Sequence, residues 1–197
     1  MQGRKFSSRR CDAATEGRVR LKKTVVLVGM MGAGKSAVGT ALAHRLGVRF
    51  IDSDAEIVAA ASMSIAEIFE RDGEPFFRAR ESEVIGRLLD GRPAILSTGG
   101  GAFLAERNRR LIHDRGVSVL LDVDIDLLWS RVRHKDTRPL LRTANPRATL
   151  EEIHAARAPV YQLADLAVKA RAHYAVADMA EQVVLALKTR PDVLEVN

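Results

Sequence analysis

Residues 29–36 read GMMGAGKS and match the pattern G-x-x-x-x-G-K-[ST] in full. An apolar, β-branched run, TVVLVG at 24–29, precedes them and predicts a buried strand. The segment KSAVGTALAHRLG at 35–47 follows, with Val38 and Leu42 at helical spacing. A glycine-rich turn between a strand and a helix is typical of a phosphate-binding loop, because backbone N–H groups and the helix N-terminus both face the anion.

The side chains of this loop are suited to the phosphates of a nucleotide. Lys35 would reach the β- and γ-phosphates, and the Ser36 hydroxyl would ligate Mg²⁺. A GTPase switch usually also carries D-x-x-G and N-K-x-D elements, and neither occurs in this sequence, so an enzyme is favoured. The expected ATP-binding residues of the loop are Gly32, Ala33, Gly34, Lys35, Ser36 and Ala37.

Strand patterns alternate with helix patterns along the rest of the chain. Apolar runs predict strands at 24–29, 48–52, 93–97, 117–123 and 165–170. Helical spacing predicts helices at 35–47, 64–73, 74–90, 106–116, 124–133, 149–164 and 178–189. This alternation predicts an α/β fold in which helices cover both faces of a parallel sheet. The segment 134–148 has two prolines and no sustained apolar period, and its length is typical of an active-site lid.

The composition is that of a single folded domain. The chain has 197 residues, of which 47% are hydrophobic and 28% are charged, enough to build a sizeable core. No apolar run reaches the roughly 18 residues that a transmembrane helix needs, so no membrane partner is expected. The only cysteine, Cys11, excludes an internal disulfide, which fits the reducing environment of the cytoplasm.

The net positive charge comes from the beginning of the chain. Residues 1–23 hold eight Lys or Arg and two Asp or Glu, whereas the other residues hold 23 of each kind. A basic nucleic-acid-binding face on the body is therefore not indicated. The segment 1–23 lacks the apolar region of a secretory signal, and we expect a disordered extension ahead of one domain at 24–197. A weak anchor for RNA or acidic membrane is the alternative role of this extension.

Two carboxylates follow the second predicted strand. The sequence FIDSD at 50–54 places Asp52 and Asp54 two residues apart at the strand exit. Ligands of doubly wound sheets bind at the carboxyl ends of strands, and period-2 spacing lets both side chains point toward the phosphate loop. One carboxylate could hold Mg²⁺ through water while the other accepts a proton from an attacking hydroxyl. Alternatively, DSDAEI marks a helix start with a capping aspartate, and Asp122 at another strand end is a rival metal ligand.

Glycines and arginines form the remaining candidate motifs. STGGG at 97–101 ends a predicted strand with three glycines, which indicates that another group approaches the backbone closely. Arginines stand at position 78 in DGEPFFRARE, position 138 in RPLL and position 157 in RAPVY. Together they could neutralise a transferring phosphoryl group and bind an anionic group of the acceptor.

These motifs together resemble one family. GMMGAGKS, FIDSD, DGEPFFRARE, STGGG, RPLL and RAPVY occur in this order within residues 24–188, and the set resembles the shikimate kinase family. The resemblance implies a P-loop NTPase-like, nucleoside monophosphate kinase-like fold with a five-stranded parallel sheet, flanking helices and a mobile lid. It implies transfer of the γ-phosphoryl group of ATP to the 3-hydroxyl of shikimate with Mg²⁺, on the route to chorismate and the aromatic amino acids. It also implies a monomer whose partners are shikimate and ATP, without nucleic acid.

The resemblance assigns the acceptor-binding residues. Asp54 corresponds to the aspartate that hydrogen-bonds the shikimate hydroxyls and acts as the base, and Asp52 to the aspartate near the metal. Arg78 and Arg157 match the arginines that bind the shikimate carboxylate. The glycine run that contacts substrate corresponds to Gly99, Gly100 and Gly101.

The resemblance also assigns ATP-binding residues outside the loop. Arg138 matches the lid arginine that contacts the ATP phosphates, and with Lys35 and Asp54 it completes the expected catalytic set. Arg131 matches the arginine that packs on adenine. The segment 168–175, where the family's second adenine contact falls, lacks the usual short polar-proline pattern, so the contacts on that side stay open.

Alternative functions share part of this pattern. A gluconate kinase would have the same phosphate loop, but the glycine run with Arg78 and Arg157 favours shikimate. A nucleoside monophosphate kinase usually needs more arginines around its acceptor phosphate. A non-catalytic nucleotide- or RNA-binding protein would not need the intact set of Lys35, Ser36 and Asp54.

Overall fold

The computed structural model describes residues 19–134 and 139–196. Most of the predicted basic extension, up to residue 18, lies outside the described residues. The same holds for Arg138, the expected lid arginine.

A parallel sheet of five strands forms the centre of the molecule, as predicted. In chain order the strands of the described residues are β1 (Val19–Leu21), β2 (Thr24–Val28), β3 (Phe50–Asp52), β4 (Ile95–Ser97), β5 (Gly116–Asp122), β6 (Leu166–Lys169) and β7 (Leu194–Val196). The central sheet has the order β3-β4-β2-β5-β6. Its middle strand β2, the run that precedes the phosphate loop, is buried along its whole length, as expected for a strand covered on both faces.

Helices flank this sheet. They are α1 (Lys35–Leu46), α2 (Ser53–Ala61), α3 (Ile65–Leu89), α4 (Glu106–Arg115), α5 (Ile125–Val132), α6 (Pro146–Tyr161) and α7 (Val176–Leu187). Helix α1 packs on α7 and β4, and α4 packs on α3 and β5. Among the helices of the described residues, none is both long enough and apolar enough to cross a membrane.

Two helical regions differ from the sequence prediction. The predicted helices at 64–73 and 74–90 run together as α3, with a break at Gly73, whose φ of 80° is outside the helical range. The second difference is α2, which occupies a stretch where only a possible helix start was recognised. Its nine residues are too short to display a clear apolar period.

The predicted lid at 134–148 contains more regular structure than expected. Its described part holds a short 3₁₀ turn at Pro139–Leu141, and α6 begins at Pro146 rather than at residue 149. Asn145 caps this helix, since its side-chain oxygen accepts a hydrogen bond of 3.2 Å from the Ala148 N–H. Asparagine followed by proline is a good helix start, and this signal sets the boundary.

The basic segment 1–23 ends inside the folded body, which corrects the predicted boundary. Strand β1 pairs antiparallel with β7, so that Val19 lies opposite Val196. Leu21 is only 7% exposed, and Lys22 forms an ion pair with Glu195 at 3.0 Å. A three-residue strand beside a run of basic residues has no readable periodicity, because its partner lies at the other end of the chain.

Within residues 19–134 and 139–196, the apolar core is divided into two clusters. The larger one surrounds the sheet and includes the second half of α3 through Ile85. The smaller one joins α2 to the first half of α3 through Ile57, Ile68 and Phe77, with Phe69 and Phe77 rings 4.7 Å apart. Helices α2 and α3 carry the candidate residues Asp54 and Arg78, so this smaller cluster supports one side of the site.

Candidate active site

The phosphate loop opens into a cavity of about 560 Å³ at the carboxyl end of the sheet. Gly34 has a φ of 92° immediately before α1, a backbone conformation that favours glycine. A Cβ on Gly32 would lie 2.5 Å from Val132 Cγ1, so the loop also needs glycine for space. The predicted residues that line this cavity are Gly32, Ala33, Gly34, Lys35, Ser36, Ala37, Asp52, Asp54, Gly99, Gly100 and Arg131.

Lys35 lies across its own loop. Its Nζ donates hydrogen bonds of 2.8 Å to the Gly29 carbonyl and 3.1 Å to the Met30 carbonyl. The ammonium therefore sits beside the N-terminus of α1, where the helix dipole and the loop amides also favour an anion.

Asp52 makes two sets of contacts in the structure, and the first confirms the capping aspartate that was one of the alternatives drawn from the sequence. Its Oδ1 accepts hydrogen bonds from the N–H groups of Asp54 at 3.0 Å and Ala55 at 3.4 Å, which caps α2. Its Oδ2 accepts a bond of 3.3 Å from Ser36 Oγ. A hydroxyl and a carboxylate are hard oxygen donors of the kind Mg²⁺ prefers, with substrate phosphates and water as further ligands. This pair fits a magnesium site, although the described residues hold no cluster of three or more His, Cys, Asp or Glu for a metal.

Asp54 reaches the cavity from a helix rather than from a strand. The strand ends at Asp52, and Asp54 lies in the first turn of α2. The period-2 argument from the sequence is therefore wrong in its geometry, and the helix cap brings Asp54 to the cavity instead. Burial raises the pKa of Asp54 and the charge of Asp52 raises it further, whereas Lys35 and Arg78 act to lower it. Its buried Oδ1 has no hydrogen-bond partner among the described residues.

The three glycines after β4 are explained by close contacts. A Cβ on Gly99 would lie 2.7 Å from Asp54 Oδ1, and one on Gly101 would lie 2.6 Å from Arg78 Nη2. At Gly100 the nearest atom would be Tyr161 Oη at 3.9 Å. None of the three has a φ in the left-handed range. The side chains of a carboxylate and a guanidinium, rather than a backbone twist, therefore require glycine at the two outer positions.

Arg78 is held by two carboxylates on its own helix. Its Nη1 donates to Glu81 Oε2 at 2.9 Å, and its Nη2 donates to Glu74 Oε1 at 3.1 Å. Burial acts to lower the pKa of Arg78, but Glu81 and Glu74 raise it on balance. Glu81 is 1% exposed, and burial raises its pKa even though Arg78 acts against this. Glu81 was not predicted from the sequence: its position three residues after Arg78 on a helix is compatible with an ion pair, but only its burial distinguishes it from an exposed glutamate.

Arg157 approaches the glycine run through Tyr161, one turn later on α6. Tyr161 Oη donates a hydrogen bond to the Gly100 carbonyl. Burial raises the pKa of Tyr161, whereas the charge and a hydrogen bond of Arg157 act to lower it. Arg78 thus meets the glycine run directly at Gly101, whereas Arg157 is linked to Gly100 through Tyr161.

The far part of the cavity has a cation and apolar side chains. Arg131 Nη1 donates long hydrogen bonds to the carbonyls of Gly32 at 3.5 Å and Ala33 at 3.4 Å. The cavity wall also contains Ala170, Tyr174, Ala175, Val176 and Met179. The sequence left contacts in this region open, and Val176 and Met179 were not singled out because they resemble ordinary core residues of α7.

Asp122, the rival metal ligand, is engaged elsewhere. It ends β5 and forms an ion pair of 3.4 Å with Lys169 at the end of β6. It is not among the residues that line the main cavity. The pair Ser36 and Asp52 therefore remains the better oxygen-donor site in the described part of the chain.

Comparison with known proteins identifies similar sequences and folds. The family model for shikimate kinase matches residues 31–188. A shikimate kinase from Ruegeria pomeroyi is 65% identical over 181 residues, which cover 92% of this chain and 93% of that protein. The structure of shikimate kinase from Acinetobacter baumannii in complex with shikimate is 36% identical with a TM-score of 0.78, covering 85% of this chain and 94% of that one.

Gluconate kinase, one of the alternatives drawn from the sequence, also has this fold. A gluconokinase structure from Sinorhizobium meliloti has a TM-score of 0.57 and covers 86% of this chain and 94% of its own, but it is only 20% identical. This likeness concerns the fold alone.

Proposed function

The chain belongs to the shikimate kinase family, and on that premise we propose that it transfers the γ-phosphoryl group of ATP to the 3-hydroxyl of shikimate. The products are shikimate 3-phosphate and ADP. The observation that supports this best is the placement of a phosphate loop and a buried carboxylate on one cavity, with that carboxylate against Gly99. A phosphoryl donor and a hydroxyl acceptor can therefore meet at Asp54.

The acceptor would bind at the glycine run. Shikimate carries one carboxylate, which suits Arg78 and Arg157 because guanidinium groups bind carboxylates through paired hydrogen bonds. Its hydroxyl groups suit Asp54 and the backbone of Gly99, Gly100 and Gly101. Glu81 holds the Arg78 guanidinium beside Gly101. This placement supports Arg78 as a residue that binds the acceptor rather than one that only faces solvent.

The donor would bind along the phosphate loop. Loop amides and the N-terminus of α1 would hold the phosphates, and Lys35 would exchange its carbonyl partners for phosphate oxygens. Arg138 would add charge from the lid. The adenine would lie between Arg131 and the wall that includes Tyr174 and Met179.

We assign the magnesium position to Ser36, with Asp52 acting through water. Mg²⁺ bound there would neutralise charge on the β- and γ-phosphates. Asp52 is already oriented by the two amide hydrogen bonds of the α2 cap, so its second oxygen is held toward Ser36.

Asp54 would take the proton of the acceptor hydroxyl. As the oxygen of that hydroxyl bonds to the γ-phosphorus, the bond from phosphorus to the β,γ-bridging oxygen breaks and ADP leaves with its electron pair. A carboxylate whose pKa is raised by burial is a stronger base than one in water. Positioning and charge neutralisation supply the rest of the catalysis.

The remaining assignments follow the family. We propose a single kinase domain that acts in the cytoplasm as a monomer, without nucleic acid or membrane. It would begin at β1 rather than at residue 24, because Leu21 is part of its core. A segment within 134–148 would act as the lid.

A coupled ADP-release assay tests this function. Purified full-length protein would be given ATP and Mg²⁺ with shikimate, gluconate or AMP as the acceptor. We expect ADP release only with shikimate. Turnover with gluconate or AMP instead would assign another kinase of this fold, and ATP binding with no acceptor-dependent turnover would favour a non-catalytic protein.

A further inference from the structure

The turn that follows β4 accepts hydrogen bonds from side chains of α4 and α6 that the proposed chemistry does not use. We call residues 99–105 the glycine turn. It contains the three glycines and the 3₁₀ segment Ala102–Leu104. Its other side faces α4 and α6.

Every carbonyl of the glycine turn has a hydrogen-bond donor. Tyr161 donates to the Gly100 carbonyl. Asn108 Nδ2 donates to the Ala102 carbonyl at 2.9 Å. Arg109 Nη1 donates to the next two carbonyls, Phe103 at 2.9 Å and Leu104 at 2.7 Å.

Backbone groups serve the other carbonyls of the turn. The Ala102 N–H donates to the Gly99 carbonyl and the Leu104 N–H to the Gly101 carbonyl, both at 3.1 Å. The Ala105 carbonyl accepts from the first turn of α4. The carbonyls are thus all engaged inside the protein.

The amide groups of the three glycines differ from the carbonyls. Within the described residues, the N–H groups of Gly99, Gly100 and Gly101 donate to no other group. Gly99 and Gly100 line the main cavity. A polar ligand in that cavity therefore meets a backbone whose donors are available and whose acceptors are already occupied.

We propose that Asn108, Arg109 and Tyr161 are positioning residues that fix the glycine turn as a donor surface for the acceptor's oxygens. This inference rests on the proposed function and adds residues that do not contact the substrate themselves. By binding the Gly100 carbonyl, Tyr161 opposes a flip of the Gly100–Gly101 peptide that would turn this oxygen toward the acceptor and repel it. Asn108 and Arg109 fix the 3₁₀ segment that follows the glycines, and so fix the end of the glycine run.

The burial of Asn108 supports a positioning function. Asn108 is 0% exposed, and its Oδ1 has no partner among the described residues. A buried amide with one unsatisfied atom is unfavourable for stability compared with an apolar side chain of similar size. Asn108 provides the hydrogen bond to the Ala102 carbonyl, which an apolar residue could not provide.

The test uses two neighbouring arginines on α4. Arg109→Met removes the donor to two carbonyls and keeps the aliphatic stem. Arg110→Met is the matched control, because Arg110 pairs only with the exposed Glu106 one turn earlier in the described structure. Both variants would be assayed with shikimate and ATP varied separately, and their melting temperatures measured.

We expect the shikimate KM of Arg109→Met to rise about tenfold, because loosely held groups cost binding energy. The ATP KM should stay within about twofold, since the phosphate loop is a separate segment. Arg110→Met should match the wild type, and Arg109→Lys should recover part of the shikimate KM because an ammonium can still donate to one carbonyl.

Equal rises in both KM values for Arg109→Met, or an unchanged shikimate KM in the folded variant, would overturn the inference. If Arg109→Met fails to fold, Tyr161→Phe provides the same comparison, because it removes one hydroxyl from the Gly100 carbonyl and keeps the ring. An unchanged shikimate KM in Tyr161→Phe would then reject the proposal. Failure of the proposed function is a separate result, since the wild type would then show no shikimate-dependent ADP release.

Discussion

Gly99→Ala tests whether Asp54 is held in a reactive position by the close approach of the backbone. The new methyl carbon would lie 2.7 Å from Asp54 Oδ1 and 3.2 Å from Oδ2. Ordinary van der Waals contact begins at 3.4 Å, so the carboxylate must move by about 0.7 Å. A carboxylate at the end of a side chain can move this far without unfolding the protein.

The expected loss is in kcat rather than in stability. Misplacement of a reacting group by about 1 Å can cost about 100-fold in rate, so a movement of about 0.7 Å should cost on the order of 20-fold. The free energy of unfolding should change by about 1 kcal/mol or less, because no core packing is lost. The kcat with saturating shikimate and ATP, together with urea denaturation, would measure both quantities.

Two other glycines provide the controls for this experiment. At Gly86, in α3, an added Cβ meets no atom within 4 Å, so Gly86→Ala should leave kcat unchanged. At Gly100 the nearest atom is 3.9 Å away, so Gly100→Ala should keep the fold and raise the shikimate KM by filling the cavity. If folded Gly99→Ala has the kcat of the wild type, Asp54 is not positioned by this contact and its assignment as the base loses support.

Three further variants extend these tests. Asp54→Asn should reduce turnover by at least about 100-fold while ATP binding, followed by fluorescence titration, stays within about twofold; substantial turnover would exclude Asp54 as the base. Arg78→Ala should raise the shikimate KM more than the ATP KM, and it should shift the acid limb of kcat/KM to higher pH, because loss of this cation removes an effect that lowers the pKa of Asp54. It also leaves the buried Glu81 unpaired, at a cost of about 3 kcal/mol. Adding Glu81→Gln to this variant should largely restore its stability in thermal unfolding, and a shikimate KM that recovers as well would mean that Arg78 acts only through stability. Deletion of residues 1–18 should leave the kinetics and the melting temperature unchanged. Deletion of residues 1–21 should lower the melting temperature because Leu21 is lost from the core; equal melting temperatures for the two deletions would mean that β1 does not contribute to stability.

The phosphate loop and the sheet were predictable because their signals are local. A glycine-rich turn between an apolar strand and an amphipathic helix can be recognised within about twenty residues. The alternation of strands and helices then requires parallel pairing. Neither step needs information about distant contacts.

The rest of the site depends on contacts that no short stretch of sequence contains. The sequence indicated that something approaches Gly99 and Gly101, but not that the two groups are Asp54 and Arg78. Glu81 is recognisable only once its burial is known, since a glutamate on a helix is usually exposed. Strand β1 was missed for the same reason, because its partner β7 lies at the other end of the chain.

The division of the apolar core has a consequence for how the molecule opens. Ile57, Ile68 and Phe77 form a cluster separate from the one around the sheet. A cluster of this size stabilises its helices less than the main core does, so α2 and the first half of α3 should unfold locally at a lower free energy than β2. Their amide hydrogens should exchange with solvent before those of the sheet. Asp54 and Arg78, two of the side chains that would hold the acceptor, therefore stand on a part of the fold that opens more readily than the sheet. A ligand that bridges this part and the glycine run would slow the exchange of its amide hydrogens.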